Sequence, residues 1–100
     1  MSGYDFERPY IEHAAMTRST ARDQATADMY GEVVLSTTLS NMEYKLRFER
    51  MSTSRAMRPP PSSLRIFSGY LVVRKLGQPD QYETWMPDHL FEDLYAPKAT

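Results

Sequence analysis

No cysteine occurs in the 100 residues, which excludes a disulfide framework, thiolate chemistry and a cysteine zinc site. Glycine is nearly as scarce: Gly3, Gly31, Gly69 and Gly77 stand isolated, so no glycine-rich loop is present to cradle a phosphate. The two histidines, His13 and His89, lie far apart, with Glu12 beside the first and Asp88 and Glu92 around the second. A metal site needs three or four convergent ligands, and this spacing predicts solvent-facing histidines and no metal. Ser62, Ser63 and Ser68 have no oriented base in a recognisable nucleophile motif. No apolar run approaches the length that spans a bilayer, and the opening MSGYDFERPYIEH lacks the basic start and apolar centre of a secretory signal. Together these absences predict a soluble, cytoplasmic protein that is not an enzyme and carries no cofactor.

The length is that of one small domain with a modest core. A net charge of -1 conceals segregation along the chain. Residues 43–75 hold Lys45, Arg47, Arg50, Arg55, Arg58, Arg65, Arg74 and Lys75 against Glu43 and Glu49, whereas the flanking segments are acidic. Such asymmetry bears on partners rather than fold.

The most legible stretch is Phe67 to Pro97. Tyr70 to Leu76 is rich in β-branched and aromatic residues and is bounded by Gly69 and by Gly77-Gln78-Pro79-Asp80, which predicts a strand and a turn. Tyr82, Thr84 and Met86 alternate with Glu83 and Trp85, the period of a second strand. Pro87 and Asp88 suit a helix start. Leu90, Phe91, Leu94 and Tyr95 form one apolar stripe, and Ala96-Pro97 stops the helix.

Gly69, Tyr70, Trp85, Pro87, Phe91, Glu92 and Tyr95 stand in a pattern that resembles the C-terminal segment of small bacteriophage and prophage proteins of the PGDYG type. The likeness covers the last third of the chain, without the Asp between Gly and Tyr, and implies a phage or prophage origin. More distantly, a hairpin followed by Trp and an acidic terminal helix resembles small phage proteins that sequester nucleotide signals.

Upstream, residues 1–8 read as a flexible arm. Ile11, Ala14, Ala15, Ala21, Ala25 and Met29 fall on a helical period, which predicts an N-terminal helix through about 20 to 30, its start at Pro9 or Thr20 left open, with Gly31 as its stop. Glu32 to Leu39 is β-rich. Met42, Tyr44, Leu46 and Phe48 alternate with charged residues, and at helical spacing they scatter around the cylinder, so a strand is predicted there despite the capping-box pattern Ser40-x-x-Glu43. Residues 52–63, with Pro59, Pro60 and Pro61, read as a Pro-rich loop.

The expected fold is therefore a single α+β domain: an N-terminal helix, a four-stranded mainly antiparallel sheet and a short C-terminal helix packed on it. The expected function is that of a phage accessory factor, which inhibits a host protein or defence system in the host cytoplasm by stoichiometric binding. Candidate partner-binding residues are Arg47, Arg50, Arg55, Arg58, Tyr82 and Trp85, facing an acidic surface on a host or phage protein or, through an exposed sheet edge, a second copy. Trp85 reads equally as core. The alternatives are nucleic-acid binding through the basic middle, with Tyr44, Phe48, Phe67 and Tyr70 available for stacking, and a sponge for a small phosphorylated signal.

Overall fold

The computed structural model describes residues 8–61 and 65–97. Two 3-10 turns, Arg8–Tyr10 and His13–Ala15, lead into five strands and three helices: β1 (Thr17–Ala21), α1 (Gln24–Tyr30), β2 (Val33–Thr38), α2 (Asn41–Met51), β3 (Gly69–Arg74), β4 (Tyr82–Pro87), α3 (Asp88–Leu94) and β5 (Tyr95–Pro97). The strands form one antiparallel sheet in the order β4-β3-β2-β1-β5. The α+β class agrees with the sequence reading, with five strands in place of four.

The alternation along β3 builds two cores. Leu71 and Val73 point to one face, where Met16, Leu39 and Tyr44 of α2 gather, with Trp85 and Phe48 packed beside them. Val72 points to the other face, where it meets Val34, Met86, Tyr95 and Phe91 of α3. Tyr70, Phe91 and Tyr95 stack in series, with centroids 4.3 and 5.4 Å apart. Such offset aromatic contacts add to the burial of their area. The predicted hairpin and terminal helix are thus present, and the hairpin register pairs Gly69 with Pro87 and Arg74 with Tyr82.

Three local expectations are corrected. The helix expected to start at Pro9 or Thr20 begins at Gln24, capped by the Asp23 carboxylate, which accepts the Thr26 N–H at 2.8 Å; it ends at Gly31, whose φ of 112° suits glycine. Thr17–Ala21 is a strand instead, held between β2 and β5 by backbone pairing. Residues 42–48 are not a strand but the body of α2: Ser40 and Glu43 complete a reciprocal capping box, at 3.1 and 2.9 Å. Finally, Tyr95–Pro97 does not simply stop the terminal helix but adds a fifth strand beside β1.

The loop expected over 52–63 is more than a connector. Its described part docks on the outer edge of β4, where Glu83 N–H donates to the Ala56 carbonyl at 2.9 Å and Arg58 N–H donates to the Glu83 carbonyl at 2.8 Å. Pro87 supplies no donor farther along. On the opposite edge, β5 has three residues, the Tyr95 N–H turns back to the Phe91 carbonyl, and Pro97 has no N–H. Both outer strands are therefore blunted against strand addition. Of the arm expected over 1–8, residues 1–7 lie outside the described residues, as do loop residues 62 and 63, and Arg8 opens the first 3-10 turn. Among the described residues no helix is long and apolar enough to cross a membrane.

Candidate functional site

The basic middle of the chain divides into a buried and an exposed set. In the buried set, Arg47 of α2 forms a forked ion pair with Glu83 of β4, Nε to Oε1 at 2.6 Å and Nη2 to Oε2 at 2.9 Å. Its Nη1 donates to the carbonyls of Pro9 and Ile11 at 3.0 and 2.8 Å, which ties the N-terminal turns to the sheet. Arg55 Nη1 and His13 Nε2 reach the same Glu83 Oε2 at 3.1 and 2.7 Å, and Arg55 Nη2 pairs with Glu12 at 3.1 Å.

Burial alone would raise the Glu83 carboxyl; the bonds from Arg47, His13 and Arg55 outweigh it and hold the group at about 2. A carboxylate is acceptor-only, so the ring proton of His13 sits on Nε2. The 3.4 Å approach of Arg55 Nη1 to that nitrogen is consequently two donors converging on one oxygen. The Tyr44 hydroxyl beside the pair donates to the Arg58 carbonyl, and burial, with Glu83 nearby, pushes it well above the ordinary phenol range. Among the described residues no buried side-chain nitrogen or oxygen lacks a partner. Through these bonds Glu83, Arg47 and Tyr44 hold α2, β4 and the N-terminal turns together.

Arg47, expected on the solvated side of a strand, is thus fully buried. His13, expected to face solvent, is half-buried on Glu83, whereas His89 is exposed at 84 % beside Asp88. Trp85 lies on the core side, its indole N–H donating to the Leu39 carbonyl at 2.7 Å. Among the described residues no three His, Asp or Glu side chains are placed to share a metal ion.

The cations that lie on aromatic rings are held differently. Arg58 follows the edge pairing at Glu83, and its guanidinium carbon lies 5.1 Å from the centroid of the Tyr82 ring. Arg74, opposite Tyr82 in the hairpin register, lies 5.3 Å from the same centroid and 4.8 Å from that of Tyr30. Arg74 is held there by Nε and Nη2 donating to the carbonyls of Tyr30 and Met29, at 3.0 and 3.3 Å. Among the described residues neither guanidinium meets a carboxylate. The two charges lie within about 10 Å of each other, one screening length at 0.1 M salt, so their fields add toward an approaching anion. Arg50 stands apart, 4.7 Å over Tyr10. Of the residues expected from sequence, the structure brings together Arg58 and Tyr82; the missing member was Arg74, which the hairpin register about Gly77 places opposite Tyr82.

No family model, curated protein or solved structure matches this chain.

Proposed function

We propose that this protein acts by stoichiometric binding to an acidic surface on a partner protein, through Arg58, Tyr82 and Arg74, and that it does not turn over a substrate. The observation that carries this reading is the contrast between the two basic sets. Arg47 and Arg55 are consumed by Glu83 and Glu12, while among the described residues Arg58 and Arg74 lie on Tyr82 with no carboxylate to neutralise them. Arginine and tyrosine are the residue types that dominate interface energetics, and guanidinium groups already held on aromatic rings lose less freedom when they meet a carboxylate. The likeness of residues 67–97 to small phage proteins adds a partner class: a host protein, occluded and thereby inhibited. A net charge of -1 and a pI near 6.1 favour a protein over a nucleic acid, whose binding modules are strongly basic.

The test is affinity capture from bacterial lysate, with and without nuclease treatment, using the wild-type chain and Arg58→Glu as baits. A host protein held by the wild type, lost from Arg58→Glu and inhibited in proportion to the amount added supports the reading. Capture of nucleic acid alone, or complete inactivation of the target by a hundredth of its molar amount, overturns it.

A further inference from the structure

We infer that residues 9–13 are a detachable strap, which occupies within its own chain a docking groove for a peptide segment carrying an aromatic ring and, two residues on, a carboxylate. Arg47, Arg50 and Arg55, three residues that read from the sequence as partner-binding, all converge on this short stretch. Arg47 donates to the Pro9 and Ile11 carbonyls, Arg50 lies 4.7 Å from the centroid of the Tyr10 ring, and Arg55 pairs with Glu12 at 3.1 Å. Between these polar contacts Ile11 packs on the core beside Met16 and Tyr44. A cation over a ring, a guanidinium on a carboxylate and an apolar anchor are the contacts by which a bound peptide is recognised. Among the described residues the only carboxylate outside the strap that these guanidiniums meet is Glu83. Withdrawal of Glu12 therefore leaves three guanidiniums facing one carboxylate, a cationic groove.

The strap is fastened as a ligand is, not as a strand is. Among the described residues its backbone hydrogen bonds are internal, from the Ala15 and Met16 N–H groups to the carbonyls of Glu12 and His13, each at 3.0 Å. The bonds that tie it down run through side chains, those of Arg47 and Arg55 and its own His13 on Glu83. Sheet pairing begins only at Thr17. Of residues 9–13 Pro9 alone is buried, while Glu12 is exposed at 71 % and the exposed Ala14 and Ala15 form a hinge with no side chain to extract. A segment with so little buried surface and no ladder opens at a lower free energy than the sheet beneath it. The way in lies beside it, where a cleft of about 380 Å³ is lined by His13, Arg55, Gln81, Tyr82 and Glu83. An incoming segment reaches Arg55 through this cleft before the strap has left. The tethered strap competes at high effective concentration, so a ligand in trans meets only the open fraction. The inference is independent of the partner reading above, which rests on Arg58 and Arg74 instead.

The probe is a fluorescein-labelled peptide of residues 9–16, titrated with the pure full-length chain and read by anisotropy. Glu12→Arg sets like charge against Arg55 from an exposed position and loosens the strap, so this chain should bind the peptide at least tenfold more tightly than the wild type. Arg50→Glu, added to Glu12→Arg at another exposed position, should abolish that gain, and a peptide carrying Glu12→Lys should not bind. Hydrogen exchange supplies a reading on the wild type itself. The Ala15 and Met16 amides should exchange at least tenfold faster than those at the centre of β3, and faster again in Glu12→Arg while β3 stays protected. Should Glu12→Arg lose protection in β3 as well, Glu12→Gln takes its place in both measurements. A loosened chain that keeps β3 protected and yet binds the peptide no better than the wild type overturns the inference. So do wild-type Ala15 and Met16 amides as protected as the centre of β3.

Discussion

All three guanidinium nitrogens of Arg47 and both carboxylate oxygens of Glu83 are engaged, so that one ion pair joins α2, β4 and the N-terminal turns. Arg47 and Glu83 are 0 and 2 % exposed. Desolvating two charges offsets much of their attraction, and such a pair is therefore a weak net source of stability but costly to break.

Removal of either partner alone leaves the other charge buried and unpaired. Arg47→Ala or Glu83→Ala should each cost about 3–5 kcal/mol. The double replacement Arg47→Ala with Glu83→Ala should cost clearly less than the sum of the single losses, because neither charge of the pair is left buried alone and Arg55 keeps Glu12. Urea unfolding of the three variants measures this; strict additivity would mean that the pair is not coupled.

Acid should act through the same carboxylate. Glu83 titrates at about 2 in the folded chain against an ordinary 4.5, so the unfolded chain binds the proton first as pH falls. Its contribution is complete above the ordinary value, declines below it and is gone once the pH falls through the folded value. Melting temperature should accordingly drop steeply between those two values. Glu83→Gln should be less stable at neutral pH but shallower across that acidic window; an unchanged slope would assign acid sensitivity to other carboxylates.

Much of this arrangement was hidden from the sequence for one physical reason. The inward face of α2 carries Asn41, Tyr44 and Arg47 at spacings of three, with Phe48 partly buried beside them. That face is helical in period but polar in two of its buried members, so a reading that counts apolar residues as inside sees 42, 44, 46 and 48 and infers a strand. The capping box at Ser40 and Glu43 was the local signal that survived. β1 was illegible for a related reason: its buried residue is Ser19, set against Ser36 at 3.4 Å, and its pairing comes from β2 and β5, not from any alternation of its own. The hairpin of β3 and β4 was legible because turn residues, β-branched side chains and period two agreed. Tyr82 within it and Arg58 in the loop before it were recognisable as surface candidates, while the burial of Arg47 depends on Glu83, 36 residues away.

Asn41 offers a test of the segment that leads into β3. Asn41→Ala removes two hydrogen bonds to the backbone of Arg65 and Phe67, and with part of the freed backbone open to water the loss should be about 1–3 kcal/mol. The Phe67 amide should lose its protection against hydrogen exchange, while amides in the centre of β3 keep theirs. Equal loss at both places would make Asn41 a general core residue and not a clamp.

Gly69 and Trp85 set the final expectation. The indole lies across Gly69 on the neighbouring strand, and a Cβ built at Gly69 would overlap the Trp85 ring and the Met86 carbonyl. Backbone freedom is not the reason for glycine here, since among the described residues positive φ occurs at Gly31, Gly77 and Lys75 and not at Gly69; the requirement is space for an aromatic over a bare strand. The indole cannot shift freely, because its N–H is fixed on the Leu39 carbonyl. Gly69→Ala should therefore cost about 1–3 kcal/mol or more by overpacking and alter the fluorescence of the single tryptophan. Trp85→Leu in that background should recover part of the loss, since the Met86 carbonyl remains in the way. A Gly69→Ala protein with wild-type stability and unchanged emission would show that the β3–β4 pair accommodates the methyl group, and that the strand glycine is not kept open for the indole.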